Sequence, residues 1–301
     1  MPKDRNKDLL HLHFLVFLWG FTSILGSIIN LSPLGIVWYR MLIAFIIVAS
    51  YIFYKKKNLF KISKKHLNKI FFAGGFISLH WVAFFYAIKI SGVSITLSIM
   101  ASGAFIASIV EPFFFKRKIS IKELFFGLLT LLGLIIILDA EFDQFYGISI
   151  ALLAAILSVI FTIFNSKLVN SGVSALSITV YELLIGWLLL SFYIFTWTDQ
   201  FYDIIWVYDL NDLILLLALG SICTAYAHVV SVRVMRNLSP FSFMLIINLE
   251  PIYAIILSLI FFGENELMST QFYLGLILIL LSVFLDALDK RRNKINKLKL
   301  N

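Results

Sequence analysis

The sequence predicts an all-α membrane protein of ten transmembrane helices, and three observations lead to that fold class. The 301-residue chain is 61% hydrophobic and only 14% charged, whereas soluble domains carry about 25% charged residues. Apolar segments of about 20 residues, the length that crosses a bilayer as a helix, recur ten times along the chain. Lysine and arginine occupy every second gap between those segments.

The ten spans use roughly two thirds of the chain, which leaves room only for loops and tails. The first follows a segment charged with both signs, Met1 to Asp8, and has no small-residue cleavage motif, so it is predicted to be a retained helix and not a signal peptide. Pro33 precedes the second span; basic residues precede the third, fourth, fifth, seventh and ninth; acidic residues precede the sixth, eighth and tenth. The spans are placed at 9–29, 34–54, 70–88, 93–115, 120–138, 147–168, 174–196, 212–232, 240–262 and 271–288.

The charge pattern orients these spans. Of the 25 lysines and arginines, all but Arg40 and Lys89 lie at the termini or in the even-numbered gaps, so 25 minus 2, or 23, fall on one side. Cytoplasmic loops are rich in Lys and Arg, so both termini are predicted to be cytoplasmic. Aromatic residues of the seventh gap suit an outer interfacial belt: Trp197, Tyr202, Trp206 and Tyr208. The outer gaps hold acidic residues: Asp139, Glu141, Asp143, Asp199, Asp203, Asp209, Asp212, Glu264 and Glu266.

Several functional classes are disfavoured by composition. The net charge of +8 follows from the orienting cations, so no nucleic-acid partner is expected. The single cysteine, Cys223, cannot form an intrachain disulfide. The sequence has no metal-ligand cluster, phosphate-binding loop or catalytic triad. We therefore expect no cofactor and no enzyme.

The two halves of the chain resemble each other. An offset of 147 lays Ala104 on Pro251 and Lys89 on Arg236, and brings His80 within one residue of His228. The domains are therefore a first repeat, 9–139, a second repeat, 147–288, and a basic cytoplasmic tail, 289–301. Because each repeat has five spans, an odd number, the second must be inverted. Inverted repeats are the build of many secondary transporters, whose sites lie near the midplane between the repeats.

Short motifs relate the chain to a known family. They are Leu18-Trp19-Gly20, Pro33 with Arg40, and Asn248-Leu249-Glu250-Pro251 leading to Gly263-Glu264. With these motifs the chain resembles an EamA-type permease of the drug/metabolite transporter superfamily over essentially its whole length. The sequence departs from that pattern at Ala104, where a proline is expected, and at Arg117, where a glutamate is expected. It therefore does not by itself predict a helix break in span four to match one in span nine.

Ionisable side chains inside spans are costly in a bilayer and often functional. Arg40 either meets an anionic group of the cargo or anchors backbone carbonyls. Glu250, beside Pro251, either carries a proton or ties span nine to a neighbour. Glu182 lies about 10 Å from Arg40 in depth by helical rise, so no direct salt bridge between them is expected. Proton coupling is assigned to Glu250, Glu182 or His80.

Histidines and polar stripes complete the candidate path. His80 lies among aromatic residues that suit amphipathic cargo, although a packed, hydrogen-bonded histidine is the alternative. Stripes of small and polar residues in spans one, six and eight indicate either a water-filled path or close helix packing. Glu111 and Glu123 are interpreted as interfacial charges. The candidate substrate path comprises Trp19, Thr22, Ser23, Tyr39, Arg40, His80, Trp81, Tyr86, Ser158, Thr162, Glu182, His228, Asn248 and Tyr253.

The sequence therefore predicts a secondary active transporter in the inner (cytoplasmic) membrane. By resemblance it moves small metabolites such as amino acids outward by alternating access, with protons as a candidate coupling ion. Its partners are a small-molecule substrate and the lipid bilayer, and its state is a monomer or a homodimer. Uptake or metabolite exchange is one alternative. Two alternatives belong to other functional classes: an intramembrane enzyme that uses Glu182, Glu250 and His80, and a membrane scaffold.

Overall fold

The structure is a computed structural model, and the residues it describes contain helices and no strands. It describes residues 2–299 except for 56, 61, 141, 199–200, 202–203, 205, 208 and 264–268. The predicted outer-gap residues Glu141, Asp199, Tyr202, Asp203, Tyr208, Glu264 and Glu266 lie outside this description. Trp197 and Trp206, also assigned to the outer belt, are both largely exposed.

Eleven helices follow one another in the described chain, with short 3₁₀ turns at Lys57–Phe60 and Phe142–Gln144. Seven stretches are long and apolar enough to cross a membrane, and Gly103–Phe115 and Thr270–Asp286 are shorter apolar helices. The helices are α1 Pro2–Ile28, α2 Pro33–Lys55, α3 Lys64–Met100, α4 Gly103–Phe115, α5 Ile121–Ala140, α6 Phe145–Asn170, α7 Ala175–Trp197, α8 Leu210–Val234, α9 Pro240–Ile247, α10 Glu250–Phe262 and α11 Thr270–Lys299.

Capping side chains mark the starts of two helices, α8 and α9. Asp209 accepts a hydrogen bond from the backbone N–H of Asn211 at the start of α8. Ser239 does the same for Ser242 at the start of α9, where Pro240 occupies the first turn. These side chains satisfy backbone donors that have no partner within the helix. Proline is tolerated in a first turn because its missing N–H would be unpaired there in any case.

Helix α3 contains a sharp change of direction at Gly92. The φ of 79° and ψ of 171° at Gly92 are not helical, and glycine adopts them without a Cβ clash. Ile77 and Met100 line the same cavity, yet a straight helix would separate them by about 35 Å at 1.5 Å per residue. The chain therefore folds back at Gly92, between the predicted spans three and four.

Both halves contain a second helix break, at equivalent positions. Helix α3 ends at Met100 and α4 begins at Gly103, while α9 ends at Ile247 and α10 begins at Glu250. Adding the repeat offset of 147 to 100 and 103 gives 247 and 250. The sequence did not predict the first of these breaks, because Ala104 stands where the second half has Pro251. Glycine is a poor helix former, and Gly103 begins the new helix with the Met244 methyl group of α9 against it.

The last helices of the two halves cross at a pair of glycines. A Cβ on Gly133 of α5 would lie 2.4 Å from the carbonyl oxygen of Gly275 in α11, and a Cβ on Gly275 would lie 2.4 Å from that of Gly133. Thr130 and Ser282 form a hydrogen bond of 2.9 Å beside this crossing. Since later residues of α5 meet earlier residues of α11, the two helices are antiparallel. Equivalent helices of inverted repeats have this relation.

Two cations, one after span three and one after span eight, provide a second sign of the repeat. Lys89 donates hydrogen bonds from Nζ to the carbonyls of Ser27 and Ile29, at the end of α1. Arg236, its counterpart at the offset of 147, donates from Nη2 to the carbonyl of Val173 at 3.4 Å, just after α6. Cations favour the carbonyl-rich ends of helices. Both residues therefore bond to backbone carbonyls near the ends of equivalent helices, α1 and α6.

The glycine crossing leads to a stability prediction. Gly133→Ala should destabilise the protein by about 1–3 kcal/mol, the usual cost of overpacking, because the added methyl meets backbone and cannot be relieved by a rotamer change. The measurement is thermal unfolding of the detergent-solubilised chain. Gly75→Ala is the matched control, since its nearest neighbour would be the Leu189 Cδ1 atom at 3.5 Å. Equal melting temperatures for the two variants would contradict this helix crossing.

Candidate functional site

A central cavity lies between the two halves and is lined by both. Its walls come from α1, α2 and α3 of the first half and from α6, α8, α9 and α10 of the second. The cavity volume is about 70 Å³. Since one water needs at least about 10–15 Å³, the cavity holds a few waters. Its lining is Trp19, Thr22, Arg40, Ile77, His80, Trp81, Phe84, Met100, Ser158, Phe161, Cys223, His228, Ser231, Phe243, Ile247 and Glu250.

Arg40 is the buried cation of this cavity. Its Nε donates to Oγ1 of Thr224 at 2.6 Å, and its guanidinium carbon lies 4.0 Å from the centre of the Trp81 ring. A desolvated cation over an indole face is stabilised by the ring quadrupole. Trp81 and Thr224 therefore hold the guanidinium in one place while it lines the cavity.

The partner of Arg40 lies on an irregular turn of α8. Residues Ser221–Tyr226 form a π-helical turn, and the Thr224 hydroxyl donates to the carbonyl of Leu219 at 2.7 Å, five residues earlier. Thr224 thereby accepts from Arg40 and donates to its own helix. Such π turns occur frequently at functional sites. No signal in the sequence predicted this turn, because composition and periodicity do not register one extra residue in a helical turn.

Glu250 supplies an acidic group in the same cavity. It is 8% exposed, begins α10 directly after the helix break, and interacts electrostatically with Arg40. An acidic residue in the first turn of a helix is favoured by the helix dipole. The proline that follows it stands in the first turn, where it costs the helix no hydrogen bond. The cavity therefore carries one basic and one acidic side chain.

His80 and His228 both line the cavity but have different partners. His80 Nδ1 lies 2.8 Å from the carbonyl oxygen of Ala154, and because a carbonyl only accepts, this nitrogen carries a proton. His228 Nε2 lies 2.9 Å from Oε2 of Glu182. Of the two histidines, only His228 therefore forms its hydrogen bond with a carboxyl group.

Glu182 lies behind His228 and does not line the cavity. Its side chain is fully buried, and Oε2 also accepts from Asn165 Nδ2 at 3.3 Å. Its other oxygen, Oε1, has no hydrogen-bond partner among the described residues. Arg40 and Glu182 thus bond to different groups, and His228 is the link between Glu182 and the cavity.

The remaining predicted path residues divide into two groups. Trp19, Thr22, Trp81 and Ser158 line the cavity. The others lie elsewhere: Ser23 bonds to the Gly20 carbonyl, Tyr39 packs on Trp38, Tyr86 is half-exposed in an apolar groove, Thr162 contacts the Met244 sulfur, Asn248 is buried at the helix break, and Tyr253 packs on Phe17.

Apolar lining residues were missing from the predicted path, although helical spacing could have found some of them. Ile77 and Phe84 lie three before and four after His80, so they share its helix face. Phe243 and Ile247 lie seven and three before Glu250, which is the spacing of one face in a continuous helix. Met100 could not be found in this way, because it reaches the cavity only through the turn at Gly92.

An ion cluster joins the halves away from the cavity. Glu111 is 3% exposed, and its Oε2 accepts from the backbone N–H of Phe241 in α9 at 2.6 Å. Arg117 Nη2 lies 3.1 Å from Glu111 Oε1 and 2.6 Å from Glu123 Oε2. Glu111, interpreted from sequence as an interfacial charge, is therefore buried and ties α4 to the start of α9.

The comparisons with known proteins agree with this architecture. A family model described as the EamA-like transporter family matches residues 9–139 and 145–286, one match for each half. No curated protein matches the sequence. Among solved structures, one titled only "Crystal structure of protein" superposes with a TM-score of 0.72 at 12% identity, covering 95% of this chain and 98% of that chain. At that identity the likeness concerns the fold.

Two family matches that together cover most of the chain, on two halves with equivalent helix breaks, establish the family. The seven stretches long enough to cross a membrane make it a multi-pass membrane protein. The chain belongs to the EamA-like transporter family.

Proposed function

We propose that this protein is a secondary active transporter that exports small zwitterionic metabolites such as amino acids across the inner membrane. One observation carries the proposal: Arg40 and Glu250 place a basic and an acidic side chain in one cavity built by both repeats. A charged group away from water is stable only when it is paired. A cargo with one carboxylate and one ammonium group would supply a partner for each side chain.

The cargo's two charged ends have distinct partners in this proposal. The guanidinium of Arg40 donates to the cargo carboxylate, since its planar fork suits carboxylate geometry. The carboxylate of Glu250 accepts from the cargo ammonium group. The aromatic walls, which include Trp19, Phe161 and Phe243, contact the cargo's apolar part. Cargo with an apolar or aromatic side chain is therefore favoured.

Alternating access would arise at the paired helix breaks. Met100 and Glu250, which flank the breaks of the two halves, both line the cavity. Hinges are a few element-terminal residues that absorb changes in φ and ψ. A cavity that holds only a few waters must widen to admit an amino acid. Rotation of the helix segments about these breaks would open the cavity to one side of the membrane at a time.

The test is transport by the purified chain in liposomes. We expect vesicles preloaded with an unlabelled mixture of the twenty amino acids to take up one or more members of an isotope-labelled mixture, each recovered chemically unchanged. The recovery distinguishes a carrier from an intramembrane enzyme that uses Glu182, Glu250 and His80. In cells that overproduce the chain, uptake would appear as accumulation of the cargo and not as its loss. Exchange would appear as accumulation of one metabolite together with loss of another. Absence of flux for every amino acid would contradict the proposal.

The orientation is tested separately. With ten spans, both termini are expected in the cytoplasm, because the basic residues that flank the spans orient them. A reporter that is active only in the cytoplasm, fused to each terminus in turn, should be active in both fusions. One terminus on the outer side would contradict the ten-span topology.

A further inference from the structure

We propose that the Glu182–His228 pair is the proton-binding site that couples transport to the proton gradient. This inference rests on the proposed transport function and adds its coupling site. Glu182 was a candidate from the sequence, but His228 was assigned only to the substrate path. The argument begins from the 2.9 Å contact between His228 Nε2 and Glu182 Oε2.

The position of the pair suits a proton and no larger ligand. Glu182 is fully buried and lies outside the cavity, whereas His228 lines it. Any proton that reaches Glu182 from the cavity therefore passes through the imidazole. Glu182 Oε1 has no partner among the described side chains and backbone, so the carboxyl group is not saturated by hydrogen bonds. A carboxylate in this state favours a positive charge on the imidazole beside it.

The charge balance of the pair is simple. A carboxylate with a neutral imidazole has a charge of −1, and one proton added to the second ring nitrogen gives an imidazolium–carboxylate pair that is neutral overall. No other bond forms or breaks. Because an uncompensated charge is costly in the interior, loading the proton changes the free energy of the closed form. Discharge of the proton to the other side of the membrane would complete the cycle.

The surroundings link this proton to the cargo site. Trp81 lies between the proton-binding pair and Arg40 of the cargo site. The centre of its ring is 4.0 Å from the Arg40 guanidinium carbon and 5.9 Å from the centre of the His228 ring. The added proton therefore makes the charge around this one indole ring more positive. The other ionisable groups that line the cavity with His228 are Arg40 from α2, His80 from α3, Cys223 from α8 and Glu250 from α10, while Trp19, Thr22 and Ser158 of the cavity wall and Asn165, which donates to Glu182, are uncharged.

His80 provides the matched control. It lies at the near-equivalent position of the other repeat and lines the same cavity, but its ring bonds to a backbone carbonyl. A carbonyl cannot take up a proton from it. A general effect of cavity histidines would therefore appear in His80→Gln, whereas an effect of the pair would appear only in His228→Gln and Glu182→Gln.

The first experiment needs no cargo. Trp81 lies beside His228, and an imidazolium ion quenches indole fluorescence, so the fluorescence of the solubilised full chain should fall on acidification through one titration. Trp81→Phe should remove that titration and thereby assign it. His228→Gln should also remove it. Glu182→Gln should change its midpoint, because the imidazolium loses its neighbouring carboxylate, and His80→Gln should leave it unchanged. A titration that persists in His228→Gln, or is absent from the wild type, would overturn the inference.

A second variant keeps the test decisive if His228→Gln does not fold. In that case Glu182→Gln decides, because a midpoint equal to that of the wild type would mean that the carboxyl does not share the proton. Elution as a single monodisperse species verifies that each variant is folded. The fluorescence result is independent of transport, so it is valid even if no amino acid is carried.

The second experiment separates coupling from transport. In liposomes with an acidic interior, the wild type should accumulate labelled amino acids from the mixture beyond its exchange at equal pH. His228→Gln and Glu182→Gln should lose that accumulation when it is expressed relative to each variant's own exchange at equal pH, whereas His80→Gln should retain this ratio. Accumulation in all variants would overturn the coupling site. Loss of exchange in the wild type would overturn the proposed transport function instead.

Discussion

Replacing Arg40 by glutamine should reduce the transport of amino acids about 30-fold or more. Removing one member of a buried hydrogen-bonded charge pair costs about 2–5 kcal/mol, and about 1.4 kcal/mol corresponds to a factor of ten. The loss should be specific to cargo with a carboxylate, since that is the group the guanidinium would bind. The measurement is exchange flux in liposomes, compared for amino acids and for the corresponding amines without a carboxylate.

The control for this variant is Thr224→Val. Arg40 is also an anchor, because its Nε bonds to Thr224 in the π turn of α8. Thr224→Val removes that anchor with little change in shape and leaves the guanidinium in the cavity. If Arg40 served only to hold α8, the two variants should lose flux equally. Flux retained by Thr224→Val and lost by Arg40→Gln is the result that cargo binding predicts.

Glu250→Gln should have the complementary effect. A glutamine keeps the size and the hydrogen-bonding capacity of the side chain but not the charge that would pair with an ammonium group. We expect amino acids to lose about tenfold or more in apparent affinity, as for a lost charge-assisted hydrogen bond, while the analogous acids without an amino group are little affected. Competition of each compound with labelled amino-acid exchange measures this difference.

A different outcome would reassign Glu250. If Glu250→Gln removed accumulation driven by a proton gradient and left both exchange and amine selectivity intact, Glu250 would be the proton carrier, as the sequence alternative held. The variant Arg40→Gln with Glu250→Gln offers a further check. In the double variant neither ionisable side chain is left in the cavity without the other. Its folded yield, relative to the wild type, should therefore exceed the product of the relative yields of the two single variants.

Much of the fold could be predicted from periodicity and charge. Apolar segments of bilayer length are visible in any window of the chain, and the basic gaps separate them. The turn at Gly92 was predicted as a gap between spans because Lys89 interrupts an apolar run. The break after Met100 was not predicted. It depends on how Gly103 packs against Met244 of another helix, and such a tertiary contact leaves no local pattern.

The candidate site was predictable in part for a related reason. Charges inside a span stand out in an apolar sequence, so Arg40, Glu182 and Glu250 were found directly. Which of them share a cavity depends on the rotation and tilt of several helices. Tyr253 illustrates the limit: it shares a helix face with Glu250 by spacing, yet it packs on Phe17 and not in the cavity.

Cys223 permits the most direct test of the central claim that the cavity opens to each side in turn. It is the only cysteine of the chain, and it lines the cavity beside Arg40. A membrane-impermeant thiol reagent, applied to the wild-type chain in right-side-out and in inside-out vesicles, should label Cys223 from both sides, and the labelling rates should change when the amino-acid mixture is added. Labelling from one side only, at a rate that the amino acids do not alter, would contradict alternating access.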